Sequence, residues 1–115
     1  RKDEAALAEK LEKQAFDEPV GASGKYKDAA LAWIRAAEPQ KASAALAAAE
    51  AAGPDSRNDL LAHYWHHGMA DAYLELNHPE DAIPHLEKAI QKTNIAGYIK
   101  TCQEKLAKAR EAAAP

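Results

Sequence analysis

Residues 63–92, HYWHHGMADAYLELNHPEDAIPHLEKAIQK, read as two amphipathic helices joined by a very short turn, and they decide the fold because the chain carries an earlier copy of them. A shift of 40 residues lays Tyr26 on His66, Ala30 on Ala70, Ala32 on Ala72, Trp33 on Tyr73, Pro39 on Pro79, Ala42 on Ala82, Leu46 on Leu86 and Ala49 on Ala89. Six of these eight pairs are identities. Alanine is abundant enough to match by chance, yet the Pro, Leu and aromatic positions fall in the same register.

Working outward, residues 2–16 form an amphipathic segment whose larger apolar residues are Leu7, Leu11 and Phe16, with Asp3 and Glu4 complementing the dipole of its first turn. Pro19, Gly21, Ser23 and Gly24 predict a loop over 17–24. A second helix follows over 25–37, where Tyr26, Ala30, Trp33 and Ala37 make one stripe. Pro39 suits the first position of a third helix, nearly all alanine, that Gly53-Pro54 ends. Asp55 and Ser56 are candidate N-caps for a long helix to about Leu76, which Asn77 terminates before Pro79 restarts the chain. Pro84 then removes a backbone bond to Glu80, which predicts a kink or a loosened first turn. From 95 to 113 a stripe of Ile95, Tyr98, Ile99, Cys102, Leu106 and Ala109 is backed by Lys100, Gln103, Glu104, Lys105 and Lys108.

The paired register resembles the tetratricopeptide repeat, a helix–turn–helix unit of about 34 residues. In the first copy the resemblance rests on Tyr26, Ala29, Ala30, Trp33, Ala42, Leu46, Ala49 and Pro54; in the second it rests on His66, Met69, Ala70, Tyr73, Ala82, Leu86, Ala89 and Asn94. His66 replaces an aromatic residue and Asn94 a proline, and roughly six extra residues separate the copies. The resemblance implies an all-α stack of antiparallel helix pairs, a right-handed α-solenoid of about five helices. One domain over 1–115 would comprise an N-terminal helix (2–16), repeat units at 25–53 and 57–92, and a polar-backed closing helix (95–113). The first segment suits either the second half of a preceding repeat or a cap.

Composition narrows the function. The chain has 115 residues, a formal charge of −3 and 29% charged residues of mixed sign, so it lacks the clustered basic surface that phosphate binding requires. Nucleic acid is thereby disfavoured. No apolar run approaches the 18 or so residues of a membrane span, so no membrane insertion is expected, and either cytoplasm or bacterial periplasm would suit. Cys102 is the single cysteine and cannot form an internal disulfide.

In the family that the repeat resembles, the first helix of each pair lines a concave surface. This implies a protein or peptide ligand in the hollow formed by helices 25–37 and 57–76, with Leu31, Ile34, Tyr64 and Leu74 giving apolar contact. Lys27 and Arg35 would take acceptors, while His67, Asp71 and Glu75 would line the opposite, acidic side. The same ladders, basic on one helix and acidic on the other, also read as a solvated network of individually weak pairs. Leu31 stands where a carboxylate-binding member of the family carries Asn, so a carboxylate clamp is not expected. Only two repeats are visible where three are usual, which leaves self-association as one way of completing the core.

A competing reading is a small helical metal-binding module. His63, His67 and Asp71 recur at four-residue intervals, a spacing that can present two imidazoles and a carboxylate to one ion. His66 faces the core stripe instead, and His78 and His85 read as isolated cap and surface residues. Catalysis finds no support: the serines have no glycine elbow, Cys102 has no evident histidine partner, and no glycine-rich phosphate loop follows a strand. Neither an enzyme nor a cofactor is expected. Tyr26, Trp33, Trp65 and Tyr73 fall on stripes between helices and read as core.

Overall fold

Proline cannot continue a helix from behind but suits its first turn, and the residue two positions ahead of each hairpin proline takes a left-handed conformation to reverse the chain. Those two constraints shape both hairpins of the computed structural model, which describes all 115 residues. Six α-helices and no strand are present: α1 (Lys2–Asp17), α2 (Ala22–Arg35), α3 (Pro39–Ala52), α4 (Asp59–Glu75), α5 (Pro79–Gln91) and α6 (Ala96–Ala113). The all-α class is as expected. The helix count is six rather than about five: the N-terminal helix, the two pairs and the closing helix each form in full.

The chain divides into two compact units, Arg1–Asp55 with α1–α3 and Ser56–Pro115 with α4–α6. Within the first, α2 packs against α1 and α3; within the second, α5 packs against α4 and α6.

The turns repeat in detail at the same 40-residue spacing. Ala37 has φ 60° and Asn77 φ 62°, the left-handed region in both cases. Glu38 N–H donates to the Trp33 carbonyl at 2.9 Å, and His78 N–H to the Tyr73 carbonyl at 2.8 Å. The paired bonds Ala37 to Ile34 and Asn77 to Leu74 measure 2.9 and 3.0 Å. Asparagine tolerates this conformation better than alanine does, since an L-residue with a Cβ pays for it and Ala37 has no polar group to compensate. Relief of that strain, about 1–2 kcal/mol, exceeds the added entropy of an unfolded glycine, so Ala37→Gly should raise the stability of unit 1 by about 1 kcal/mol, measured as a higher urea midpoint. A lower midpoint would show that Ala37 contributes something beyond its backbone angle.

Two element boundaries differ from the sequence reading. Helix α2 begins at Ala22, not Lys25, because Gly21 at φ 77° takes the turn and Ala22 and Ser23 are already buried against the unit. Packing here outweighs the poor helix propensity of Gly24. The cap of α4 is Asn58, whose Oδ1 accepts from Leu61 N–H at 2.8 Å, rather than Asp55 or Ser56. Asp55 is instead buried. Pro84 lies on the exposed side of an unbroken α5. The first turn of that helix closes from Asp81 N–H to the His78 carbonyl, three residues back, whereas α3 closes from Ala42 to Glu38, four back. The tightened turn directly precedes Pro84, where the ring clashes and a backbone bond is lost.

Alanine dominates both cores. In unit 2, Ala70, Ala82, Leu86, Ala89, Cys102, Leu106 and Ala109 form one buried cluster, with Tyr73, Leu74, Ile83 and Ile90 packed on it. In unit 1 the counterparts Ala30, Ala42, Leu46 and Ala49 are likewise buried, together with Ala8 and Ala15 of α1. Small side chains let the helices approach closely, and the larger apolar fillers are few: Trp33 and Leu46 in unit 1, and Trp65, Met69, Leu86 and Leu106 in unit 2. The larger residues of α1 are not part of this core: Leu7 is 40% and Phe16 81% exposed. Trp33 and Trp65 are buried as expected, at 3% and 2%.

Candidate functional site

On α4, side chains four residues apart turn only about 40° round the axis, so His63, His67 and Asp71 share a face. Within unit 2 that face meets α6. Tyr64 and Tyr98 touch through their hydroxyls at 3.0 Å, with ring centroids 6.0 Å apart. The shared hydrogen bond raises the Tyr64 phenol above its ordinary pKa. One turn further along, the Lys105 ammonium donates to His67 Nε2 at 2.8 Å and to Asp71 Oδ1 at 2.7 Å. His63 stacks on Tyr98, with planes 6° apart and centroids at 5.2 Å.

Beneath this strip lies Cys102, fully buried, whose thiol is pushed above its usual pKa chiefly by that burial; Lys105 opposes the shift and Asp71 adds to it. Its sulfur and one ring nitrogen each of His63 and His67 lie within 4.8 Å of one another. The sequence reading left Cys102 without a histidine partner and chose Asp71 as the third ligand. In the structure α6 brings the sulfur to the two histidines, and Asp71 pairs with Lys105.

His85 is a further correction. It is not an isolated surface residue but 8% exposed, and its Nδ1 lies 2.9 Å from Nδ1 of His66. Trp65 and Tyr73 pack against its ring at 5.3 and 5.8 Å. His66 is buried on the core side, as expected, and His78 has an exposed side chain beside Glu80.

The residues expected to bind a ligand are therefore in different circumstances. Tyr64, His67 and Asp71 join Tyr98 and Lys105 in one partly exposed strip, whereas Leu74 packs on the core cluster and Glu75 is exposed at the end of α4. On α2, Arg35 Nε donates to Glu4 Oε2 of α1 at 2.9 Å, and Lys27 lies 3.3 Å from Asp28. Leu31 and Ile34 are half-buried. A separate recess of unit 1, about 370 Å³, has Glu9, Glu12, Trp33 and Lys41 on its walls, with the Lys41 ammonium 4.7 Å from the Trp33 ring centroid. The Trp33 indole N–H donates to Glu12.

Known family models, characterised proteins and solved structures offer no match to the chain. The geometry therefore stands by itself. No helix is long and apolar enough to cross a membrane. Tyr98, Cys102 and Lys105 escaped the sequence reading as site residues although their spacing of four and three was visible, because Lys105 was placed on the polar back of α6.

Proposed function

We propose that the chain is a non-catalytic scaffold of tetratricopeptide-like helical hairpins that binds a protein or peptide segment. The observation that carries this reading is the repeated hairpin: left-handed Ala37 and Asn77, prolines at 39 and 79, and the same backbone bonds across each turn. Each such hairpin presents a helical face rather than an enclosed cavity, which suits an extended chain better than a small substrate.

Within unit 2 the strip of Tyr64, Tyr98, His67, Asp71 and Lys105 has the mixture such binding uses. Tyrosine offers area at little entropic cost, and the carboxylate and ammonium set register by complementary charge. Lys27, Leu31, Ile34 and Arg35 on α2 supply a corresponding basic and apolar set in unit 1.

A displayed library of random peptides selected on the full chain tests the proposal, with the selected peptides then titrated by calorimetry. Enriched peptides should share a motif and lose at least about tenfold in affinity to Tyr64→Ala, since an aromatic anchor is typically worth more than 1 kcal/mol. Asp71→Lys should weaken peptides that carry a cation. Absence of an enriched motif, or a motif indifferent to both substitutions, overturns the scaffold reading.

A further inference from the structure

His63 and His67 stand one turn apart on α4, and Cys102 reaches them from α6, with the three ligand atoms within 4.8 Å of one another. The hydrogen bonds around them show which ring nitrogens carry the lone pairs. A carbonyl oxygen can only accept, so the 2.8 Å contact between His63 Nδ1 and Ala89 O places the proton on Nδ1. In the neutral ring the lone pair is then on Nε2. An imidazole whose second nitrogen is tied to a backbone carbonyl in this way is oriented as metal-binding histidines commonly are. At His67 the reasoning runs through the other partner: an ammonium can only donate, so Nε2 accepts from Lys105 and carries the lone pair.

We infer that His63 Nε2, His67 Nε2 and Cys102 Sγ form a binding site for a thiophilic divalent transition metal, zinc foremost, and that the Lys105 ammonium occupies the place of that cation in the metal-free chain. The donor set is chemically coherent, since imidazole and thiolate together suit zinc. It also accounts for a lysine directed at an imidazole nitrogen and a carboxylate at once. In zinc sites the Zn–N and Zn–S distances are about 2.1 and 2.3 Å, so tetrahedral ligands stand roughly 3.5 Å apart. Binding therefore requires the ligand atoms, now within 4.8 Å of one another, to draw together by about 1 Å.

Binding leaves oxidation states unchanged. The metal takes lone pairs from the two nitrogens and the sulfur, the thiol proton passes to solvent, and Lys105 withdraws from His67. Asp71, whose Oδ2 is 3.8 Å from His67 Nε2, is then freed as the neighbouring anion. Access is from the outer side, where the side chains of His67 and Lys105 are 22% and 34% exposed while His63 and Cys102 are buried.

The full chain titrated with cobalt(II) should bind one ion and develop a thiolate-to-cobalt charge-transfer absorption that zinc abolishes by displacement. Cys102→Ser, nearly equal in size, should lose that absorption and weaken zinc binding at least tenfold by calorimetry, as should His63→Gln. Lys105→Met should bind zinc several-fold more tightly, a gain that misfolding cannot produce. The inference is overturned by cobalt binding without thiolate absorption, or by zinc affinity that Cys102→Ser leaves unchanged, which would move the ion to exposed groups such as His78, Glu80 and Asp81. Both readouts are independent of peptide binding, so this site and the scaffold reading fail separately.

Discussion

Leu86→Ala is expected to lower the stability of unit 2 by about 2–5 kcal/mol, and Leu46→Ala to do the same to unit 1. The two leucines are 0% and 2% exposed and occupy equivalent places in cores made chiefly of alanine. Alanine has no rotamers with which to fill a vacated space, so the cavity would persist unless the helices themselves moved. That puts both substitutions toward the upper part of the range. Each unit contains one tryptophan, Trp33 in the first and Trp65 in the second. Urea unfolding followed by fluorescence in Trp33→Phe and Trp65→Phe backgrounds therefore reads the units separately. A loss below about 1 kcal/mol in either would mean that its core closes over the hole, contrary to the cost expected of a persistent cavity.

The second large effect concerns the pair His66 and His85. Two ring nitrogens 2.9 Å apart can share only one proton between them, so one ring donates from Nδ1 and the other accepts. Both rings are buried beside Trp65, where water cannot readily replace a missing partner. His85→Leu should cost about 1–3 kcal/mol, mainly because His66 Nδ1 is left without the group it faces. Adding His66→Leu should recover part of that loss, since no Nδ1 is then left facing an apolar side chain in place of its ring partner. A double-mutant cycle on urea midpoints should give a coupling of about 0.5–3 kcal/mol. Strict additivity would show that the contact between the rings adds nothing to stability.

These experiments separate two kinds of information in the chain. The hairpins were legible from residues near one another in sequence: proline at 39 and 79, the terminator Asn77, and apolar positions recurring at helical spacing. Even the buried set Ala30, Leu46 and Ala49, with Ala70, Leu86 and Ala89, follows from the 40-residue register. Where boundaries moved, packing had outweighed local preference. Gly24 lies inside α2 because Ala22 and Ser23 are buried there, and Asn58 displaced two earlier cap candidates by reaching Leu61 N–H.

The candidate metal site was half legible. The spacing of His63 and His67 follows from the pitch of a single helix, and the pair was visible for that reason. Cys102 and Lys105 were assigned to the core and the polar back of α6, and His85 to the surface, because periodicity says which residues share a face but not what that face meets. By itself, then, the sequence determined the helices, their breaks and the duplicated pattern of burial, all of which depend on backbone dihedral preferences and side-chain spacing over a few residues. Only the tertiary structure decided that α6 sets a thiol and an ammonium against α4, and that His85 meets His66. Those pairings depend on the rotation and closeness of packed helices, which follow from how the small alanine surfaces fit together.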